Sequence, residues 1–524
     1  MLRPLAVTCA LAMLVPLLAG CSTPAPPPPP APASALIHVV DLDGHAVPYA
    51  AVAVRHGSTT VLVFSADKDG TLSRDLVSDA ATRVRVAKHG YLQEEFQGGQ
   101  LGAVVTLPPA PDGLSSELNR AGILAFDPPV DLLCTQPDQV PGQAECGQFG
   151  EPVVEVAGDG AIWASATCCI GKAPPIWTSR DHGKTFQQLR NPDTGLVRDS
   201  FGIEGDFAMD DVGNVYFFDI SAATIWFTSY KADGTHRWTV PWAGPPLVDR
   251  PWVRAGAENH VWLFYNTGSA TNEYASVDGG MTWSPTPVHS FPLCLGNPGQ
   301  GPARDDLYLA AACGDKLMVW TSHDGGVTWD AGDEVPMPDV PYSETNGRGI
   351  EVMNPSTADE AGNLYVPFTH FVDAKNAQNA VFMARRDAAG NWSVPAQVSP
   401  AGMNHLPWPA AGRAGHVGFA WYFSEGTFTR EQDADWRLWA AASVDADAGS
   451  PHYQITVVDP TILQHGGFGR SLGDFIEADL TPDGKIVIVY AKRVEGNLVN
   501  VFAQTDGMLE LTPQVFRNGP HPNK

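Results

Sequence analysis

Three octapeptides repeat one arrangement of a hydroxyl, a carboxylate and a glycine turn: SRDHGKTF (179–186), SVDGGMTW (276–283) and SHDGGVTW (322–329). A repeated Asp can work on a substrate, or it can accept hydrogen bonds from its own turn. Ser and Asp side chains readily do the latter. A Ser two residues before the Asp, a Gly two after it and a closing aromatic favour the turn. Ser179, Asp181 and Gly183 are therefore read as a staple. So are Ser276, Asp278, Gly280 and Trp283, and Ser322, Asp324, Gly326 and Trp329. The Gly supplies a conformation that a Cβ obstructs. The ring packs back on the turn. Degenerate versions run through 228–238 and 384–392.

A second set of polar residues opens seven apolar runs, at 151–165, 205–219, 249–265, 301–311, 354–368, 405–423 and 473–491. They are Glu151, Glu204 with Asp206, Asp249 with Arg250, Arg304, Asn354, His405 with Trp408, and Arg470 with Asp474. Carboxylates crowded at one place raise one another's pKa and suit acid–base work. Paired with Arg, or solvated, they are structural. Asp206, Asp249, Arg250, Arg348, Arg470 and Asp474 are the binding or catalytic candidates. Arg250, Arg348 and Arg470 carry the fork that holds a carboxylate bidentately. No H-E-x-x-H or phosphate-loop pattern is present. No cofactor is expected.

Cysteine supplies the remaining chemistry. Residues 1–21, MLRPLAVTCALAMLVPLLAGC, place one cation before an apolar run too short to span a bilayer, then small residues. That is a secretory signal. Six cysteines follow Cys21: Cys134, Cys146, Cys168, Cys169, Cys294 and Cys313. An even number in an exported chain suggests disulfides. Proximity favours Cys134–Cys146 and Cys294–Cys313, leaving the adjacent Cys168 and Cys169 as a vicinal bridge or as thiols. No CxxC or HxxxH spacing accompanies them, so no metal site is assigned.

The elements that must position these groups are strands. The 524 residues include Gly 52, Pro 45 and Trp 15, and only 17% are charged. This turn-rich, aromatic-rich composition favours an all-β protein. The net charge of −26 opposes nucleic-acid binding and docking on anionic lipid through a basic patch. The seven apolar runs start about 45–70 residues apart, the length of a four-stranded blade. Seven blades are favoured, with six as the alternative, because 301–311 is the weakest copy. The strand-like AGILAF (121–126) precedes the first copy and can complete the last blade, removing an open sheet edge. Residues 24–32, PAPPPPPAP, form a stiff spacer. Residues 35–108 alternate short β-branched runs with Asp-Gly turns and read as strands and hairpins. DLDG and DKDG there lack the rest of a calcium loop and are read as turns.

Three resemblances follow. The ending Leu18-Ala19-Gly20-Cys21 resembles a bacterial lipobox. That implies cleavage after residue 20 and acylation of Cys21. Ser22, rather than Asp, implies export to the outer membrane. The series V-D-x-D-G-x-x-V-P-x-A-x-V, D-x-D-G-T-L and K-H-G-Y resembles the carboxypeptidase regulatory-like domain, a transthyretin-like or Ig-like sandwich with a role in spacing and attachment. The octapeptides resemble the Asp box, or BNR repeat, of sialidase-like β-propellers. The resemblance implies boxes at the blade periphery. Sialidases hold the sugar carboxylate with three Arg and use a Tyr–Glu pair and an Asp. Their first Arg lies in an F/Y-R-I-P motif, whereas 109–179 here holds only Arg120, in LNRAG.

The expected organisation is a signal peptide (1–20), lipidated Cys and Pro-rich linker (21–34), sandwich (35–108) and propeller (120–524). The expected function is a membrane-anchored envelope lipoprotein binding a glycan, polymer or protein partner. The alternative is an exo-acting glycoside hydrolase. Partners would be carbohydrate or an envelope or surface protein, with the membrane touched through the lipid anchor only.

Overall fold

The computed structural model describes residues 36–505 apart from 49, 57–59, 67–68, 75–82, 89–90, 92–93, 98–101, 110–123, 125, 133–149, 168–173, 190–203, 222–223, 243–248, 304, 315, 339–352, 374–376, 452, 469–471, 475, 483 and 495–496. Cys21, Cys134, Cys146, Cys168, Cys169, Arg348 and Arg470 lie outside the described residues. Almost all regular structure in this part is strand.

Seven antiparallel four-stranded units follow one another from residue 153 to residue 504. Their inner strands are Val153–Val156, Glu204–Met209, Asp249–Ala255, Leu295–Gln300, Thr357–Ala358, Met403–Ala411 and Glu477–Leu480. Each inner strand packs against the next, and the seventh packs against the first. The chain is thus a seven-bladed β-propeller. The second strand of each blade is covered on both faces by neighbouring blades. That explains why IWAS (162–165), VYFFDIS (215–221) and VWLFYNT (261–267) read as apolar runs rather than as alternating patterns.

Closure comes from an N-terminal strand. Val130–Asp131 pairs with Phe502 and Val501 as the fourth strand of blade seven, and Phe126 bridges Thr505. The closing segment therefore extends beyond AGILAF by several residues. Of that segment, 121–123 and 125 are not described.

The small N-terminal unit has two sheets around a core of Ile37, Val39, Val52, Val84, Val86 and Val105. One sheet sets Leu36–Val40 between Thr71–Ser73 and Val104–Thr106. The other runs Thr60–Ser65, Ala51–His56, Arg83–Ala87, Glu94–Gln97. This second sheet does not end at its own edge. Val61, Leu62 and Val63 pair in parallel with Gln454, Ile455 and Thr456 on the outer strand of blade six, making one eight-stranded sheet.

Candidate functional site

The alternation of strand direction assigns the faces. Inner strands begin on one face, here the mouth, and turn back on the other. The octapeptides follow third strands, so they share the far face with the first turns of the blades. Gly279 donates to Asn259 O at 2.8 Å and Gly325 to Asp305 O at 2.9 Å, both acceptors lying in such turns.

Each box satisfies its own turn. In the second, Ser276 Oγ donates to Asp278 Oδ1 (2.8 Å) and accepts from Gly280 N–H (2.8 Å), while Asp278 accepts Thr282 N–H (2.8 Å) and Thr282 Oγ1–H (2.6 Å). The boxes at Ser179–Asp181 and Ser322–Asp324 repeat these bonds. Hydrogen bonds from Thr328 hold the Asp324 carboxyl below the usual range. The closing rings reach the preceding blade: Trp283 meets Phe227 at 4.6 Å and Phe186 meets Phe502 at 4.9 Å.

Sequence inspection missed two related devices. Asp210 and Asp359 each accept an N–H and a side-chain N–H from the Asn four residues on, and an O–H from the Tyr six residues on. Each also takes an N–H from the next blade, Asn259 at 3.0 Å and Gly415 at 2.9 Å. The signal was the shared spacing D-x-x-G-N-x-Y. A partial box at Ser443-x-Asp445 was also legible from its spacing.

The channel wall holds buried charge. Glu155, Asp206, Arg254 and Glu477 come from the inner strands of blades one, two, three and seven, and all are buried. Asp206 is not at the mouth. It accepts Val253 N–H (2.9 Å), Phe207 N–H (2.8 Å) and Arg254 Nη1–H (3.1 Å). Arg254 also donates to Val253 O and, across to blade four, to Pro298 O at 2.8 Å. Glu477 and Asp479 accept Val154 and Val156 N–H across the seam to blade one. An inner strand is a sheet edge, and these carboxylates satisfy N–H groups the ladder leaves over. Burial raises the Asp206 pKa against the pull of Arg254. Burial, reinforced by the Asp206 charge, raises Glu477 well above the carboxylate range.

The axis is blocked. Trp252 of blade three and Trp408 of blade six, both buried, meet at 5.4 Å between centroids. Blades three and six face each other across the ring, so the two indoles form a floor beneath the mouth.

Above that floor the backbone is strained. Among the described residues, six that are not glycine have left-handed φ. His182 and Asn259 lie in far-face turns and are types that tolerate it. Glu151 (φ 51°), Leu293 (61°), Ala377 (50°) and Leu406 (56°) all lie on the mouth face and gain no such relief. Strain of this kind gathers at binding and catalytic sites. Glu151 sits beside Asp474, whose N–H donates to Glu151 Oε1 at 3.2 Å. Gly473 leaves room for this approach, since a Cβ there would lie 2.6 Å from Glu151 N. A bulge between His405 and Trp408 aims His405 into three rings. Its centroid distances are 4.4 Å to Phe468, 5.3 Å to Trp436 and 5.4 Å to Phe428. A disulfide, Cys294–Cys313, ties the start of blade four's inner strand to the end of its second strand on the same face.

Of the candidates, Asp474 therefore lies at the mouth and Asp206 in the wall. Asp249 and Arg250 open the inner strand of blade three, and only their backbone is described. Arg254 was missed because nothing local separates WVRAG from any other strand end. The mouth offers carboxylates from two adjacent blades, a histidine in an aromatic surround and a closed floor. These groups make the mouth the candidate site.

No family model matches the chain, and no curated protein does. Among solved structures it is similar to a protein of unknown function from Dyadobacter fermentans, with 11% identity, TM-score 0.41, and 73% of this chain and 99% of that one covered. It is also similar to an α-L-arabinofuranosidase of Fusarium graminearum in complex with arabinobiose (12%, TM-score 0.38, 72% and 97%). A third is a sialidase of Trypanosoma rangeli (14%, TM-score 0.37, 74% and 60%). The likeness transfers no substrate and no residue role to this chain.

Proposed function

We propose that this chain is an envelope lipoprotein, anchored through Cys21, whose propeller binds a carbohydrate at the face where its inner strands begin. The observation that carries the reading is that left-handed Glu151, Leu293, Ala377 and Leu406 all lie at the mouth end of their blades, spread over blade one, the link from blade three to four, blade five and blade six. A closed floor suits a shallow ligand rather than a threaded one. Sugar hydroxyls suit the Glu151 and Asp474 carboxylates, and sugar C–H faces suit the half-buried His405 and Phe428 rings.

Binding of the full chain to an array of bacterial envelope and host glycans tests this. Asp474→Ala should lower affinity about tenfold or more with melting close to wild type, and His405→Ala should lower affinity as much together with some melting loss, because its ring also packs against Phe468, Trp436 and Phe428. Undiminished binding in both folded variants overturns the placement, and no binding to any glycan overturns the ligand class.

A second reading is an exo-acting glycoside hydrolase. It is favoured by the Asp474 backbone N–H reaching the Glu151 carboxyl, which brings two acidic residues to one place on the mouth, since glycosidic cleavage commonly uses two carboxyl groups. Release of fluorophore from terminal glycosides, lost in Asp474→Ala while binding persists, separates it from the first.

A further inference from the structure

The third strands of the blades can be aligned through their pairing. The residue opposite the first residue of the second strand is Ser179, Tyr230, Ser276, Ser322, Arg386 or Ser443 in blades one to six. In blade seven Thr505 takes this place, bonded to Ile486. Three residues back stand Ile176, Phe227, Glu273, Val319, Met383, Ala440 and Phe502. Six are buried and apolar, and the seventh, Glu273, is buried completely.

The position has a defined task beside three of the boxes. A Cβ on Gly183 would collide with the Phe502 ring, and one on Gly280 with the Phe227 ring. Each ring thus fills the space beneath the box glycine of the following blade. At Gly326 the filling group is the Glu273 carboxyl. Its Oε2 accepts the Trp329 indole N–H at 2.9 Å, and Oε1 has no hydrogen-bond partner among the described residues.

We propose that the seam between blades three and four is a proton-dependent joint, in which Glu273 replaces an apolar filler beneath the Asp box and holds that box only while its carboxyl is neutral. Of the groups facing it, the Trp329 indole N–H favours the ionised form, and burial and the Asp324 carboxylate outweigh it. Phe264 lies opposite on the second strand and His289 opposite on the fourth. Burial lowers the His289 pKa, so His289 is uncharged at neutral and alkaline pH. The box contributes Trp329 and the Asp324 carboxylate, which repels a second negative charge. Burial, with Asp324 adding to it against the Trp329 bond, raises the Glu273 pKa to about 8. The folded chain thus holds a proton that the unfolded chain releases near the ordinary carboxylate pKa. Stability from this site is therefore lost as pH rises from that ordinary value to the folded value.

Amide hydrogen exchange on the full chain tests the joint, with the neighbouring box as control for the intrinsic pH dependence of exchange. Gly326 and Thr328 amides should lose protection relative to Gly280 and Thr282 by about tenfold or more between about pH 6 and about pH 9. In Glu273→Gln, which keeps the acceptor and cannot ionise, the ratio should stay constant. A wild-type ratio that does not change with pH overturns the proposal. So does a pH-dependent ratio that persists in Glu273→Gln. If the variant does not fold, the wild-type ratio decides alone.

Discussion

At the scale of single residues, burial decides which charges are structural. Arg254 touches blades two, three and four through Asp206, Val253 and Pro298. Arg254→Met should destabilise the chain by about 3–5 kcal/mol, because it leaves Asp206 buried without its counter-charge. Adding Asp206→Asn should recover much of that loss, since an amide needs no counter-charge. Urea unfolding of the two single variants and the double variant measures the coupling, and additive losses would show that the pair is not a unit. Asp206 and Arg254 also mark where sequence reading stops. A carboxylate near the start of a strand looks alike whether it faces solvent at a channel mouth or an N–H on the next blade. The choice depends on Val253, 47 residues away.

At the scale of elements, the octapeptide was legible because all its bonds are local. Ser276, Asp278, Gly280 and Thr282 lie within one turn, so spacing alone specifies the geometry. Asp278→Ala should cost about 1–3 kcal/mol through the lost side-chain-to-backbone bonds. Thermal melts should fall while ligand affinity of the folded fraction stays unchanged, the box lying on the face away from the mouth. Native melting with lost binding would contradict that placement. The disulfide was legible for the same local reason, Cys294 and Cys313 being 19 residues apart on adjoining strands. The D-x-x-G-N-x-Y staple is half local. Its Asn and Tyr bonds follow from spacing, but the N–H of Asn259 or Gly415 comes from another blade.

At the scale of the whole molecule, the ring is closed by a strand from before blade one, and the outer edge of blade six is taken by the sandwich. Sheet edges invite pairing, and both devices remove one. The proposed lipid anchor belongs to this scale as well. Cys21→Ser should abolish acylation and leave an uncleaved or soluble form, read by the mass of the N-terminal peptide and by membrane fractionation. Normal cleavage with unchanged membrane association would refute the lipobox.

The sequence by itself determined the all-β class, the blade repeat and the boxes, and favoured the Cys294–Cys313 bridge. Each is written in periodicity or short spacing, and strands and tight turns are governed by interactions a few residues apart. Only the tertiary structure decided that Asp206 belongs to the wall, that Trp252 and Trp408 floor the channel, and that Thr60–Ser65 extends blade six. The same holds for Glu273, whose oddity appears only when seven strands are aligned by their pairing. These facts depend on which distant segments meet when the ring closes. A buried partner from another blade, not the local chain, sets the dielectric and hydrogen bonding that fix each of these roles.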